Sequence, residues 1–190
     1  MNFLAHGYLS GDSESVLVGN FIGDFVKGKQ MDNYSPEIAT GIILHRKIDE
    51  YTDSHPVVSR SRNRIRKNYR HYTGVIIDIF YDHMLAVNWK NYHHQSLETF
   101  CKHVYKVINN HYDILPRRAR EMIPWMVKYN WLLNYATIEG IDSSLKGLSK
   151  RTAFKSGMEN AVNDLREHYE KLAGDFSEFF PDLVQFVKTC

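Results

Sequence analysis

The sequence has few of the residues that would indicate an exported, cross-linked or membrane-spanning protein. It contains two cysteines in 190 residues, Cys101 and Cys190, which lie far apart and show no CxxC spacing. Neither a disulfide framework nor a structural zinc site is therefore expected, and a reducing cytoplasm fits this cysteine usage. The chain has no uninterrupted run of about 18 apolar residues, so no membrane span is predicted. Its N-terminus lacks the charged start and long apolar centre of a signal peptide.

The chain also lacks an excess of charge of either sign. Its 24 Lys and Arg residues nearly balance its 22 Asp and Glu residues, which leaves a net charge of +2. This balance argues against a protein that binds bulk polyanions such as nucleic acid, and it makes any basic patch a local feature. With 43% hydrophobic residues and 24% charged residues, the composition is that of a globular protein. The length predicts one domain over residues 1–190, with the oligomeric state left open.

Proline is scarce, and strand signals are absent. Five prolines occur, and no alternating strand-and-turn series or NG or DG hairpin signal is present. Helical spacing of apolar residues instead predicts an all-α fold of about seven to nine helices. Ser35 and Pro36 form a favourable helix start, and Thr73 is expected to cap a nearly all-apolar, buried central helix. The β-branched run at residues 75–77 leaves a strand open as the alternative for that segment.

The later helices are predicted from caps and prolines. Ser96 is expected to begin one helix that ends near His111, and Pro116 another that is interrupted near Pro124. Helices are also expected over residues 138–148 and 156–172, with a short C-terminal helix after Pro181.

Two carboxylates and an imidazole lie in the most apolar segment. Asp78 and Asp82 are four residues apart and would share one helical face, while His83 lies about 100° around the helix from Asp82. Burying such groups is costly unless each is paired or bound to a metal. A structural salt bridge is the alternative to a metal site.

A second polar group precedes this segment. His45, Asp49 and Asp53 follow at four-residue steps on one helical face, which suits an imidazole ligand with a carboxylate that orients it. Further polar residues interrupt apolar stretches near the N-terminus: Asn2, His6, Asn20 and Asp24. Oxygen ligands mixed with imidazole suit Mn, Fe or Mg better than a thiolate zinc site.

Four segments in this order resemble the acyl carrier protein phosphodiesterase family, a divergent branch of the HD-type metal-dependent phosphohydrolases. They are MNFLAH, GNFIGDFVKG, GIILHRKIDEYTD and IIDIFYDHMLAVNW, and the similarity continues through WLLNY, IDSSLKGLSKR and SEFFPDL. The resemblance implies an all-helical HD-like fold and a divalent ion, usually Mn²⁺, with Fe²⁺ or Mg²⁺ as alternatives. It also implies hydrolytic removal of the 4′-phosphopantetheine arm from holo acyl carrier protein.

The resemblance also implies candidate metal ligands. Asp82 and His83 match the HD dipeptide, and His45 matches an earlier lone histidine of the family. The downstream Asp that such enzymes usually have is not evident here, so Asp24 or Asp78 is expected to take its place.

The expected chemistry follows from these groups. A metal held by imidazoles and carboxylates lowers the pKa of a bound water and polarises a phosphate oxygen. Asp49 is the candidate for orienting His45 or accepting the proton of the water. Arg46, Lys47 or Arg151 would neutralise the developing charge.

An unusually basic segment runs over residues 56–71, with six cations and no acid: Arg60, Arg62, Arg64, Arg66, Lys67 and Arg70. Arg62, Arg66 and Arg70 share one helical face and are the candidates for docking acidic holo acyl carrier protein. A plain solvated face is the alternative. Two further functions remain open for the chain, namely an HD-type phosphohydrolase acting on a nucleotide or small phosphodiester, and a helical adaptor without a catalytic metal.

Overall fold

The computed structural model describes all residues, Met1–Cys190, and contains helices and turns but no strand. The chain forms eleven α-helices connected by short loops and 3-10 turns. Their bounds are α1 Phe3–Tyr8, α2 Glu14–Ile22, α3 Pro36–Ser54, α4 Pro56–Tyr69, α5 Thr73–Val87, α6 Leu97–Asn110, α7 Arg117–Lys128, α8 Trp131–Asn134, α9 Ile138–Ser149, α10 Ala161–Glu167 and α11 Tyr169–Val187. The predicted all-α class is confirmed, and only α1 and α8 have six residues or fewer.

Local sequence signals account for several helix starts. The Ser35 hydroxyl accepts a hydrogen bond from the backbone N–H of Ile38, with Pro36 in the first turn of α3. Ser96 caps α6 in the same way, as predicted. The prediction that Thr73 caps α5 is wrong, because Thr73 is the first residue of that helix and its hydroxyl donates to the carbonyl of Arg70.

The C-terminal third differs from the prediction. Helix α7 continues through Pro124, and α11 continues through Pro181, so neither the interruption nor a separate last helix exists. Residues 156–172 are not one helix, since α10 ends at Glu167 and α11 starts at Tyr169. A proline removes one backbone hydrogen bond, but the core packing of α11 through buried side chains such as Phe176 and Phe179 outweighs that loss.

Helix α5 lies in the centre of one continuous apolar core. Nearly all of its side chains from Ile76 to Ala86 are buried, as expected for a helix that is apolar on every side. The strand alternative at residues 75–77 is thereby excluded. No helix is both long and apolar enough to cross a membrane.

Two glycines allow α2 and α3 to pack in close contact. A Cβ atom on Gly19 would lie 2.0 Å from the carbonyl oxygen of Ile38, and one on Gly41 would lie 2.2 Å from that of Val16. Any larger side chain would therefore separate the two backbones. Their close approach brings the end of α2 and the following turn against the middle of α3, where His45 lies.

Candidate metal centre

Three side chains from α1 and α3 converge on one point. Ligand atoms of His6, His45 and Asp49 all lie within 4.8 Å of one another. The two histidines are buried, while the Asp49 side chain is 39% exposed and so opens the cluster to solvent. The cluster is therefore accessible from outside on its carboxylate side.

In both histidines, Nδ1 lies within hydrogen-bonding distance of an oxygen acceptor. The tautomer of each ring is inferred from these contacts. Nδ1 of His45 lies 2.8 Å from the backbone carbonyl oxygen of Asn20, which can only accept. Nδ1 of His6 lies 2.7 Å from Oδ1 of Asn20. Both Nδ1 atoms therefore carry the proton in the neutral rings, and both Nε2 atoms are left with lone pairs.

These Nε2 atoms face carboxylate oxygens. Nε2 of His6 lies 3.2 Å from Oδ1 of Asp49, and Nε2 of His45 lies 3.1 Å from Oδ2 of Asp49 and 3.3 Å from Oδ1 of Asp24. Nε2 of His45 is buried and has no aligned hydrogen-bond partner. Since lone pairs and carboxylates repel each other, a cation must lie among them, either a proton or a metal ion. The donor set fits a divalent ion.

The electrostatics of the protein without a metal ion agree with this need for a cation. Burial disfavours the charged form of His45, but the carboxylates of Asp24 and Asp49 outweigh it and raise its pKa to about 9. Burial lowers the pKa of His6, against the effect of Asp49. For Asp49 itself, the neighbouring imidazoles outweigh burial and hold its pKa well below the usual value.

The ring of His45 fits tightly between two neighbours. It stacks on the ring of His6 with centroids 4.1 Å apart. In addition, a Cβ atom on Gly23 would lie only 2.2 Å from Cγ of His45. Gly23 therefore leaves the space that the imidazole occupies, and the ring has little freedom to turn away from the cluster.

The structure gives the predicted ligand Asp82 a different set of neighbours. Its fully buried carboxylate accepts hydrogen bonds from the backbone N–H groups of Asn2, Leu4 and Ala5 at 3.2, 2.8 and 3.3 Å. These are the unpaired donors at the start of α1. Burial raises the pKa of Asp82 to about 7, although the three donors oppose that shift. Asp82 does not belong to the three-residue cluster.

His83 also lies outside the cluster. Its Nδ1 is 2.7 Å from the carbonyl oxygen of Tyr135, and its ring meets the edge of Tyr169. Its Nε2 is buried without a partner. Metal binding by Asp82 and His83 stays a prediction, because nothing in the structure brings either of them to His45.

Asp78 lies nearer to the cluster. Its Oδ1 is 3.1 Å from the α-amino nitrogen of Met1, which is 3.7 Å from Oδ1 of Asp49. Burial raises the pKa of Asp78, against the effect of that amine. Asp78 is therefore linked to Asp49 through the amine.

The three cations predicted to neutralise the phosphate, Arg46, Lys47 and Arg151, lie in different parts of the structure. Arg46 extends across α3 and donates to the carbonyl oxygen of Val26 at 3.1 Å, close to the turn that carries Asp24. Lys47 lines a groove with Tyr51 and Phe186, about 200° around α3 from His45. Arg151 lies over the ring of Trp131 with its Cζ 5.5 Å from the centroid. Of the three cations, only Arg46 borders the turn with Asp24.

Two members of the cluster were not among the predicted ligands. Asp49 was predicted to orient His45 or accept a proton, and no site role was predicted for His6. The sequence shows it as a polar residue within an apolar stretch, as it does Asn20, but its proximity to His45 arises from the packing of α1 against α2 and α3. No spacing along the chain encodes that long-range contact.

Imidazole and carboxylate side chains that converge within a fold are typical of metal-dependent hydrolases. The family model described as acyl carrier protein phosphodiesterase matches residues 1–183. Curated proteins of that name are 34% identical in Photorhabdus laumondii (97% of this chain, 94% of the relative) and 34% in Yersinia enterocolitica (97% and 96%). The relative in Escherichia coli is 30% identical (97% and 96%). No solved structure matches the chain. The chain therefore belongs to the acyl carrier protein phosphodiesterase family, which confirms the resemblance of its motifs.

Proposed function

We propose that this chain hydrolyses the phosphodiester that joins the 4′-phosphopantetheine arm to a serine of holo acyl carrier protein, with the help of a divalent ion. Its relatives carry the name of that activity. The observation that supports metal dependence is the pair of imidazole Nε2 atoms directed at shared carboxylates. We also propose a cytoplasmic location, which the two free cysteines support.

His6, His45 and Asp49 would hold the ion, with Asp24 as a further ligand beside His45. We propose Mn²⁺, with Fe²⁺ and Mg²⁺ as alternatives, because the donors combine imidazole nitrogen with carboxylate oxygen. When bound, such an ion polarises a phosphate oxygen and lowers the pKa of a water molecule.

Two residues of the chain would assist the reaction directly. Asp49 contacts both imidazoles and so holds them towards one point, and its lowered pKa makes it a weak proton acceptor. Its role is therefore orientation and ligation. Arg46 is fixed by the carbonyl of Val26, from where its guanidinium can neutralise charge on the phosphate.

The decisive test combines metal analysis with mass spectrometry of holo carrier protein after incubation with the enzyme. The wild-type protein should contain the ion and should lighten the carrier by the mass of the arm. His6→Gln and His45→Gln should lose both properties. His83→Gln is the matched control, since it removes an equally buried imidazole whose Nδ1 also meets a carbonyl oxygen.

The other outcomes separate the alternatives. Loss of metal in His83→Gln alone would replace the cluster with the ligand set predicted from the HD dipeptide. A wild-type protein that binds metal and cleaves small phosphodiesters, but leaves the carrier intact, would favour the nucleotide-type phosphohydrolase. A wild-type protein with neither metal nor activity would be an adaptor.

We further propose that the carrier docks on the free basic end of α4. Arg60 and Arg64 are paired with Asp175, whereas Arg66 and Arg70 are exposed and make no ion pair.

Arg62 differs from the other two predicted docking residues. It is paired with Asp53, one helical turn beyond Asp49 on α3, and its side chain is only 20% exposed. It therefore connects α4 to the helix that carries the cluster. Arg70 follows the last residue of α4 with a φ of 46°, so the prediction that it shares a helical face with Arg62 and Arg66 is wrong. Arg66 and Arg70 are nevertheless the two predicted docking residues available to an acidic partner.

Charge reversal tests this docking surface. Arg66→Glu with Arg70→Glu should lower kcat/KM for holo carrier protein roughly tenfold, because each exposed contact contributes about 1 kcal/mol or less and repulsion is added. Hydrolysis of a small chromogenic phosphodiester should not change. Arg118→Glu with Arg120→Glu, a matched pair of exposed arginines on α7, should leave both rates unchanged. Equal losses on both substrates would show that α4 supports the site rather than the docking.

A further inference from the structure

We propose that Asn20 is a positioning residue that presents both imidazoles of the cluster, holding His6 with its side chain and His45 with its backbone. The orientation of the rings is a property of the chain by itself. Its value for catalysis rests on the proposed function, since only a metal site needs two Nε2 atoms directed at one point.

The side-chain amide of Asn20 makes a complete set of hydrogen bonds. Its Nδ2 donates to the carbonyl oxygen of His6 at 2.9 Å and to Oγ of Ser10 at 3.0 Å. The hydroxyl of Ser10 in turn donates to the same His6 carbonyl at 2.7 Å. These contacts fix which end of the amide is nitrogen, so Oδ1 must be the acceptor that faces Nδ1 of His6.

The backbone of Asn20 controls the second ring. Its carbonyl oxygen accepts from Nδ1 of His45 at 2.8 Å. This carbonyl lies near the C-terminal end of α2, where helix carbonyls lack intrahelical partners and are free to accept other hydrogen bonds. One residue therefore commits the Nδ1 atoms of both imidazoles and leaves both Nε2 atoms for the cluster.

Burial makes this arrangement rigid. Asn20 is 0% exposed and follows Gly19, which packs directly against α3. Water therefore cannot replace the amide without a change in packing. Without the amide oxygen as acceptor, the Nδ1–H tautomer of His6 would no longer be favoured. The amide and the carbonyl act on different rings, so a side-chain substitution should separate their effects.

The test follows the imidazole N–H groups of metal-free protein by ¹H–¹⁵N spectroscopy, with assignments from His6→Gln and His45→Gln. Asn20→Leu removes the amide but keeps the carbonyl. It should abolish the protected Nδ1–H signal of His6 while that of His45 persists. The affinity for Mn²⁺ should fall about 10- to 100-fold, the range seen when groups that orient metal ligands are removed.

Two further variants keep the test decisive. Ser10→Ala is the matched control, because it removes a buried partner of the amide without touching either ring, and it should preserve both signals. If Asn20→Leu does not fold by circular dichroism, Asn20→Ser makes the same deletion with a smaller polar side chain and carries the same expectation.

Retention of the His6 signal in the folded Asn20 variant would overturn the proposal. Equal loss of both signals would also overturn it, because that would mean general loosening of the site. The spectra depend neither on metal nor on turnover. The role of Asn20 can therefore fail while the proposed function holds, and the proposed function can fail while the role of Asn20 holds.

Discussion

Two carboxylates, the buried Asp175 and the partly exposed Asp49, show how differently the same group is used within this protein. Asp175 joins α4 to α11 and is surrounded by donors. It accepts from Nε of Arg60 at 2.8 Å, from Oγ of Ser61 at 2.7 Å and from the guanidinium of Arg64 at 3.0–3.2 Å. Two positive charges thus compensate one negative charge, and every lone pair has a partner.

Asp49 has weaker compensation, because the ammonium group nearest to it, the α-amino group of Met1, lies 3.7 Å from its Oδ1 and is closer to Asp78. Its other neighbours are the Nε2 atoms of His6 and His45, whose Nδ1 atoms are already committed, and a second carboxylate, Asp24, contacts the same Nε2 of His45. A carboxylate with enough donors stabilises a fold, whereas one that shares imidazole lone pairs with other carboxylates requires a cation from outside. By this criterion Asp82, with three backbone donors, resembles Asp175.

Removing the charge at Asp49 should give the largest effect. Asp49→Asn is expected to lower arm removal by a factor on the order of 10³ or more, about 4 kcal/mol of transition-state stabilisation. The unfolding midpoint in urea should fall only modestly, because Asn retains the shape of the side chain and Asp24 remains beside His45. A large loss of stability with normal metal content would instead place Asp49 in the same class as Asp175.

The opposite result is expected at Asp175. Asp175→Ala leaves two arginines and the buried hydroxyl of Ser61 without their acceptor, and it should lower the free energy of unfolding by roughly 2–4 kcal/mol. Metal content of the folded fraction should not change. Glu178→Ala, which removes only the exposed partner of Arg60, is the control and should cost less than about 1 kcal/mol.

A substitution at Asp82 tests whether this residue stabilises the fold, as Asp175 does, or binds the ion, as proposed for Asp49. Asp82→Ala should destabilise the protein by about 1–3 kcal/mol, since three backbone N–H groups at the start of α1 lose their acceptor. Two of these groups, on Leu4 and Ala5, are buried. The folded variant should still bind the ion. Loss of metal with unchanged stability would support the ligand role that the HD dipeptide predicted.

The last prediction concerns pH, whose effect is gradual and needs no substitution. The carboxylates hold a proton on His45 up to its pKa of about 9, and an incoming ion must displace it. Apparent affinity for Mn²⁺ should therefore rise with pH, by up to about tenfold per unit, between pH 6.5 and about 9. Stability of the metal-free protein should change in the opposite direction, because the raised pKa of His45 contributes stability that is complete below pH 6.5 and lost through about pH 9. Titration calorimetry and urea unfolding at three pH values measure both.

The sequence predicted the fold well, because helical periodicity and caps such as Ser35 are local signals. It failed at Pro181, where tertiary packing of α11 overrides the local preference of proline. At the candidate site, four-residue spacing predicted that His45 and Asp49 share a helical face, and Asp24 was selected as a polar residue within an apolar stretch. Lys47 was named because it is adjacent in sequence to Arg46, yet it lies on the other side of α3, a difference that the helical period itself encodes.

The shortness of α1 sets the order in which the site can assemble. A six-residue helix is not stable alone in water, and the start of α1 is held by Asp82 of α5. His6 therefore reaches the cluster only after the central helix has formed and docked. During synthesis, an ion would meet an incomplete set of ligands, and the full set exists only in the finished fold. Binding of the proposed ion would thus follow folding, and a chelator should remove it and leave the helices in place.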